Sequence, residues 1–555
     1  MNWAPECQFD VRGFAAFVLL AALPLALVLS WATLQLYRHA VKKAMRHAAG
    51  AAVPIPSLGH GVGNRPAASL MLKFIEPADW FDERGAAASL RGRSASALRR
   101  VSASYAVGGA VHATVVTALL FFFNEIELSP VRFAATWLIY AWPIIPVLAL
   151  TATGQPRTKA LTLGAYFVAL LVLDAVLQAS GRLEGARGQL LLLWALEMAP
   201  PTLLLWLLGN RTLRCVGLLA LLVAIALALA WFGSFQALAC VVLSTRSATL
   251  LEWVTPLRAL IVLGTGTAIW MWLRYLARRL RRDQTSDLML TVDSWWLLIT
   301  MIEMLLLSPG FKAAAPMVLL AFIAYKLVVA TGLRWSRTHS VKVRAPNLLM
   351  LRVFGHARRT ERLLDEIGLR WRYVGPINLI AGADIATSFL EPDELVQFLS
   401  GRLGDAYIAD AATLTSKLQR AAGVPSADGR YALNDFFCRD NTWRACVHAL
   451  AARSEAVLMD LRSFRATNRG CEFELGLLLE HVTLEKITFL VDRSTDVAHL
   501  ERTLSSLWQQ HGEGGVNTHA AHPVVYLLRS EDHGASVAGK LLDRLFALAQ
   551  PSGSR

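Results

Sequence analysis

Nine stretches of the chain each hold about twenty mostly apolar residues in a row, and nothing else in the sequence limits the fold so strongly. They lie at about 12–36, 103–123, 131–151, 158–179, 188–208, 212–233, 255–275, 288–308 and 313–333. A helix needs ~20 apolar residues to cross the hydrocarbon core of a bilayer. Within that core only helices and closed barrels keep every backbone polar group paired. A multi-pass α-helical membrane bundle is therefore expected. Composition agrees: 55% of the 555 residues are hydrophobic and 17% charged, against about 25% charged in ordinary soluble domains.

The first run, in "RGFAAFVLLAALPLALVLSWATLQLYRHAVKKAMRH", exceeds the apolar core of a signal peptide, and its basic residues follow it. That is a stop-transfer pattern, so the run reads as a retained span. A tenth apolar run, "FQALACVVLS", is too short to cross and reads as re-entrant or as a cap on the outer face.

The net charge of +14 and a pI near 9.8 would suggest nucleic acid in a soluble protein. In a membrane protein, basic residues first mark cytoplasmic loops. Here they cluster after the first span (Arg38, Lys42, Lys43, Arg46, then Arg91, Arg93, Arg99, Arg100), in "GQPRTK", in "GNRTLR", at Arg274, Arg278, Arg279, Arg281 and Arg282, and in "RWSRTHSVKVR". The acidic connection "NEIELSP" is expected on the other side. Nine spans with the amino terminus outside put all five clusters, and the carboxyl end, in the cytoplasm. The expected location is the inner membrane, with the lipid bilayer as partner and no nucleic acid, since no basic motif is interleaved with aromatics.

Five polar residues interrupt the apolar runs: His112, Asp174, Glu197, Glu303 and Lys326. Each is a candidate for an ion path, proton relay or ligand pocket. The plainer account is that they pair with one another inside the bundle or sit near an interface, since no repeated broken-helix pattern accompanies them. Pro200 and Pro201 distort one helix just after Glu197. Between the first and second spans, residues 37–102 form a basic insert. Its centre, "LMLKFIEPADWFDER", fits either the membrane surface, against anionic lipid, or the carboxyl domain. The six cysteines are scattered, with no CxxC and no nearby histidine at zinc-like spacing. They indicate neither a disulfide framework nor a metal site and read as reduced thiols.

Residues 334–344 form a basic linker, after which short apolar runs alternate with amphipathic segments over 345–548, leaving a tail at 549–555. "LLMLRVFG", "EAVLMDL", "KITFLVD" and "VVYLLRS" read as strands; "ARRTERLLDEIG", ended by Gly368, "NTWRACVHALAARS", a segment at 469–482 and "DVAHLERTLSSLWQQH" read as helices. "LRWRYVG" with "INLIAGADIA" reads as one or two more strands, and "EPDELVQFLSGRL" carries a helix-start signature at Pro392. This alternation predicts a doubly wound, parallel α/β sheet. Ligands bind such sheets beyond the carboxyl ends of the strands, where the turn after "VLMDL" must lie. Asn468 is placed to cap the helix that follows, and Gly470 lets backbone approach a ligand. Cys471 and Glu474 are three residues apart and share a face. The plainer account makes Glu472 a partner of the helix dipole and Glu474 a solvated carboxylate.

The helix "TWRACVHALAARS", the strand "AVLMDL" and the residues Asn468, Gly470, Cys471, Glu474 and Leu475 together resemble a TIR domain, in which a polar turn precedes a Trp-Cys-x-x-Glu-Leu helix. With Asp460 and Gly476, the same stretch also resembles nucleoside deoxyribosyltransferases. Both families are flavodoxin-like. The resemblance implies a cytosolic flavodoxin-like (TIR-like) domain in which Glu474 acts on an N-glycosidic bond, with NAD or a related nucleotide as substrate and no cofactor. Arg352, Phe354, Arg462, Asn468, Gly470 and Cys471 would then line the nucleotide crevice. Gly470 stands where TIR domains usually carry tryptophan, "LRVFGHARRTE" departs from the usual Phe-Ile-Ser-Tyr opening, and the connection over 375–440 is long. The resemblance also implies signalling or bacterial defence and a homo-oligomer. Two readings from other classes stay open: a transporter or channel regulated by a non-catalytic nucleotide-sensing domain, and an assembly scaffold.

Overall fold

The computed structural model describes residues 23–46, 69–75, 80–152, scattered positions between 160 and 175, 211–245, 248–280, 282, 284–311, 317–338, 344–353, 357–381, 392–421, 423–439, 441–511, 515–517, 520, 522–530 and 535–549. The chain divides into two compact units. One holds Met1–Tyr37, Val101–Trp335 and Phe389–Leu399; the other holds Arg38–Arg100, Ser336–Ser388 and Ser400–Arg555.

The first unit is helical. Its long helices are α1 (Leu23–Arg46), α2 (Trp80–Phe123), which begins in the second unit's sequence, α3 (Pro130–Ala141), α4 (Ile144–Ala152), α5 (Arg211–Thr245), α6 (Ala248–Leu280), α7 (Asp287–Phe311) and α8 (Leu319–Thr338). Among the described residues four helical segments are long and apolar enough to cross a membrane: Ala87–Phe123, Leu222–Val242, Glu252–Leu280 and Leu319–Arg337. A fifth arises if α3 and α4, which meet at a 44° bend, count as one. On α6, Trp253, Leu260, Leu263 and Met271 are all exposed, a contiguous apolar surface of the kind that faces lipid or a partner. The run at 288–308 is helical within α7 but carries Asp293 and Glu303 and is not among the four. The runs at 158–179 and 188–208, with Asp174 and Glu197, lie mostly or wholly outside the described residues.

The structure corrects the reading of "FQALACVVLS" as re-entrant. Residues 235–244 are the last turns of α5, a continuous helix of 35 residues and about 52 Å. Nothing in the run breaks a helix: it contains neither proline nor glycine, and its two β-branched valines cost a helix little. The reading of six reduced thiols is corrected at Cys240 on α5, which is disulfide-bonded, while Cys438, Cys446 and Cys471 are free and buried.

The second unit is an α/β domain. Its elements in chain order are β1 (Met71–Phe74), β2 (Leu348–Arg352), α9 (Ala357–Trp371), β3 (Ile377–Ala381), then, after α10 (Pro392–Leu399) of the helical unit, a 3-10 turn (Leu403–Ala406), β4 (Tyr407–Ile408), α11 (Ala411–Ala421), β5 (Leu433–Cys438), α12 (Trp443–Ala451), β6 (Ala456–Asp460), α13 (Arg469–His481), β7 (Ile487–Val491), α14 (Val497–His511), β8 (Val524–Arg529) and α15 (Ala535–Leu548). The strands form one sheet in the order β1-β8-β7-β6-β2-β3-β5-β4. Every pairing is parallel. All residues of β2, β3, β6 and β7 are buried, as strands must be when helices cover both faces of a sheet.

Two features depart from the sequence reading. Helix α9 runs through Gly368 to Trp371, because Trp371 is fully buried, stacks on Phe546 at 5.6 Å and donates from its indole N–H to the Pro376 carbonyl at 3.2 Å. That packing outweighs the ~1 kcal/mol preference of glycine for leaving a helix. The long connection over 375–440 holds α10, β4, α11 and β5. Strand β5, "LNDFFC", is too polar to read as a strand, but its Asn434 side chain donates to that of Asn378 on β3 at 2.8 Å. Helix α10 belongs to the helical unit, where Tyr37 donates to Glu394 at 3.1 Å and packs edge-on against Phe398.

Of the two places the sequence left open for the centre of the insert, the structure takes the carboxyl domain. The centre of the insert docks on the α/β domain as its edge strand, with Met71 to Phe74 in register with Val524 to Leu527. Leu70, Leu72 and Phe74 pack on the hydrophobic core. Further along the insert, the Ser94 hydroxyl donates to the Arg370 carbonyl at 2.8 Å and Arg91 pairs with Asp543. Leu72 is half-buried, so Leu72→Asp is expected to cost about 1 kcal/mol, roughly half the value of a fully buried leucine. Limited proteolysis of the full-length protein should then show faster cutting near residues 522–530. Unchanged proteolysis would mean that the strand contributes nothing to the domain.

Candidate functional site

The five strands β3-β2-β6-β7-β8 stand in the spatial order 2-1-3-4-5 of their appearance in the chain. From β2 the chain winds one way to β3, and after β6 it winds the other way to β7 and β8. The connections therefore part between β2 and β6, and a crevice at such a switch point lies beyond the carboxyl ends of the two strands. Those ends are Arg352 and Asp460, which stand opposite each other in register.

Beyond Asp460 the chain turns sharply. Arg462 folds back onto Asp460 in a two-pronged pair, Nε to Oδ1 at 2.8 Å and Nη2 to Oδ2 at 2.6 Å. Ser463 takes a left-handed backbone conformation, φ 66°, which is uncommon for a residue with a side chain. Phe464 is fully buried. Asn468 occupies the N-cap position of α13, but its side chain does not cap the helix. Its Oδ1 accepts from the Arg465 amide at 2.8 Å instead. The expected side-chain cap is thus replaced by a tight turn closed on itself, a competition open to any asparagine.

Helix α13 turns Cys471, Glu474, Leu475, Leu478 and Leu479 inward, the spacing of a core-facing stripe. One member of that stripe is an acid. Glu474 is 1% exposed, so it is not a solvated helix carboxylate. Its Oε2 has no hydrogen-bond partner among the described residues. Burial pushes its carboxyl up to about 8, with the Arg352 charge pulling the other way. Near neutral pH the group therefore carries its proton, the response expected of a carboxyl desolvated without an anion-stabilising partner.

The other predicted residues divide. Arg352 is 4% exposed and supplies the positive charge nearest Glu474 in effect, while its backbone carbonyl accepts from the Cys471 thiol at 3.8 Å. Burial, with Glu474 adding, pushes that thiol up, which makes it a packing group and not a nucleophile. Gly470 is exposed, and a Cβ there would meet open space, so the helix start leaves room for a ligand to approach. Phe354 lies outside the described residues. Arg462 is held by Asp460 and is mostly buried.

Sequence reading missed a second group at the same edge. Asp492, just past β7, accepts from the Ser494 amide at 2.9 Å and hydroxyl at 2.5 Å, and from Arg359 at 3.1 Å. Burial works against its charge, but these donors outweigh it and hold the carboxyl below the usual range. The Ser463 and Ser494 hydroxyls meet at 2.8 Å. The visible signal was the aspartate ending "KITFLVD", a charge at the carboxyl end of an otherwise apolar strand. Nearby, His499 stacks on Phe464 and lies 3.6 Å from Glu472. Among the described residues no group of three His, Cys, Asp or Glu side chains is placed to hold a metal ion.

In the helical unit two of the five polar candidates pair with each other, and a third pairs with an acid outside the five. His112 pairs with Glu303 at 3.5 Å, and Lys326 with Asp293 at 2.5 Å. Asp293 was not singled out, although "TVDSWW" places it in an apolar run.

No family model, curated protein or solved structure matches the chain.

Proposed function

We propose that the chain is a multi-pass membrane protein whose flavodoxin-like α/β domain is a TIR-like signalling or defence effector, and that this domain cleaves the N-glycosidic bond of NAD or a related nucleotide. The observation that carries the reading is Glu474: a buried acid, without an ion-pair partner within 4 Å among the described residues, beside the switch point of a parallel sheet. A carboxylate at such a place can stabilise or trap the oxocarbenium-like state formed as nicotinamide leaves. Nicotinamide departs as a neutral base, so the reaction asks Glu474 for an anion and not for a proton. An incoming pyridinium cation supplies the charge that favours ionisation.

At 1% exposure Glu474 is closed to substrate in this form, which makes it a resting form. Opening by assembly of neighbouring copies fits the homo-oligomer expected from the resemblance. The disulfide at Cys240, near the end of α5 opposite "GNRTLR", supports the orientation drawn from the basic clusters, since disulfides persist outside the cytoplasm. The carboxyl domain then lies inside, where NAD is found.

The test is nicotinamide release by the full-length protein, concentrated or crosslinked, with Glu474→Gln as control. Release that depends on Glu474 is expected. Because the free protein must lose the Glu474 proton, kcat/KM should rise about tenfold per pH unit up to about 8 and level off above it. Equal release by both proteins, or none by either, would remove the enzyme assignment.

A further inference from the structure

Helix α2 approaches its neighbours unusually closely at one level of the helical unit. A Cβ on Gly108 would lie 2.5 Å from Val329 of α8, and one on Gly109 would lie 2.6 Å from Ile144 of α4 and 2.7 Å from Trp296 of α7. Only glycine permits that approach, which is the usual way membrane helices pack tightly. One turn further along, the same packing brings His112 of α2 against Thr300 and Glu303 of α7.

His112 is fully buried, with Nε2 3.0 Å from the Thr300 hydroxyl and 3.5 Å from Glu303. The single Thr300 hydroxyl proton goes to the Trp296 carbonyl at 2.7 Å. Thr300 can therefore only accept from His112, which puts the imidazole proton on Nε2. Nδ1 is left with a lone pair, buried and without a partner among the described residues. A base with no donor, beside an acid, is an incomplete site for a proton.

Toward the start of α7 stand Asp293, paired with Lys326, and Tyr325, whose hydroxyl is 3.4 Å from Asp293 and whose ring lies against Trp296 at 5.1 Å. Tyr105 on α2 and Arg279 on α6 add charge or titratable groups on that side. Past Glu303 the helices close over Val116, Val318 and Ala321, all fully buried, with Leu307 and Tyr140 around them.

We infer that His112 and Glu303 form a proton-binding site within the helical unit. The pair takes up one proton: imidazole and carboxylate together then carry no net charge, whereas without the proton they hold one net negative charge, the form that burial disfavours. This inference does not depend on any activity of the α/β domain.

The test is infrared difference spectroscopy of the full-length protein in nanodiscs, between mildly acidic and mildly alkaline buffer. A titrating carboxyl or imidazole signal equivalent to one proton per chain is expected. It should be lost in Glu303→Gln and, as a second variant should that one fail to fold, in His112→Asn. It should persist in Glu127→Gln, which alters an exposed loop acid. A wild-type spectrum without a signal that either variant removes would overturn the inference. So would a midpoint that moves with sodium concentration at fixed pH, which would make the pair a cation site.

Discussion

Glu474→Gln is expected to stabilise the α/β domain at alkaline pH while abolishing its proposed activity. The sign follows from the raised value of the folded carboxyl, about 8 against an ordinary 4.5. Below about 4.5 the group is neutral whether the chain is folded or unfolded, and it costs nothing. As pH rises, the unfolded chain ionises first, so stability falls steadily until about 8, where the folded carboxyl ionises too. At 1.36 kcal/mol per pH unit, the wild type has lost on the order of 3 kcal/mol by pH 7. The amide that replaces the carboxyl does not ionise and escapes this loss. Hydrogen exchange across residues 469–481 in the full-length protein reads the effect locally. Exchange should be slower in the variant near pH 8, and the two proteins should converge near pH 5. A variant that exchanges faster near pH 8 would show that the folded domain stabilises Glu474 as an anion, contrary to its burial.

Arg462→Ala is expected to have an effect of similar size and opposite sign. Asp460 is 4% exposed at the end of β6 and takes both of its side-chain donors from Arg462. Removing one member of a buried pair strands the other, at a cost of about 3–5 kcal/mol. The partial exposure of Arg462 argues for about 3. Arg462→Lys keeps the charge but cannot match both carboxylate oxygens, and should fall between. The thermal midpoint of the full-length protein at fixed pH measures both. If Arg462→Ala instead melts like the wild type and only weakens nucleotide binding, Arg462 is a ligand contact and the lock on Asp460 is incidental.

The two variants bear on how far a sequence can be read. The strand "EAVLMDL" and the helix after it were plain from apolar spacing, and the i, i+3 relation of Cys471 and Glu474 follows from helix geometry alone. Which way that face points was not legible, because the dipole-matched, solvated account used the same residues. The side chains of Cys471, Leu475 and Leu478 settle it by packing inward and taking Glu474 with them. Arg462 looked like a phosphate ligand because arginines near strand ends often are; its actual partner, two residues back, depends on the shape of the turn. Asn468 does stand at the start of α13, yet its side chain chose the turn over the helix.

Sequence alone determined the apolar runs, the basic clusters between them and the alternation of strand and helix, since each depends on residues within a few positions of one another. Tertiary structure alone decided that "MLKF", far upstream of β2 in the chain, would complete the sheet. It also decided that His112 would meet Glu303 and Lys326 would meet Asp293, and that one acid would be sealed beside the switch point. Those outcomes depend on which distant segments come to share a surface, and local preference carries no record of that choice.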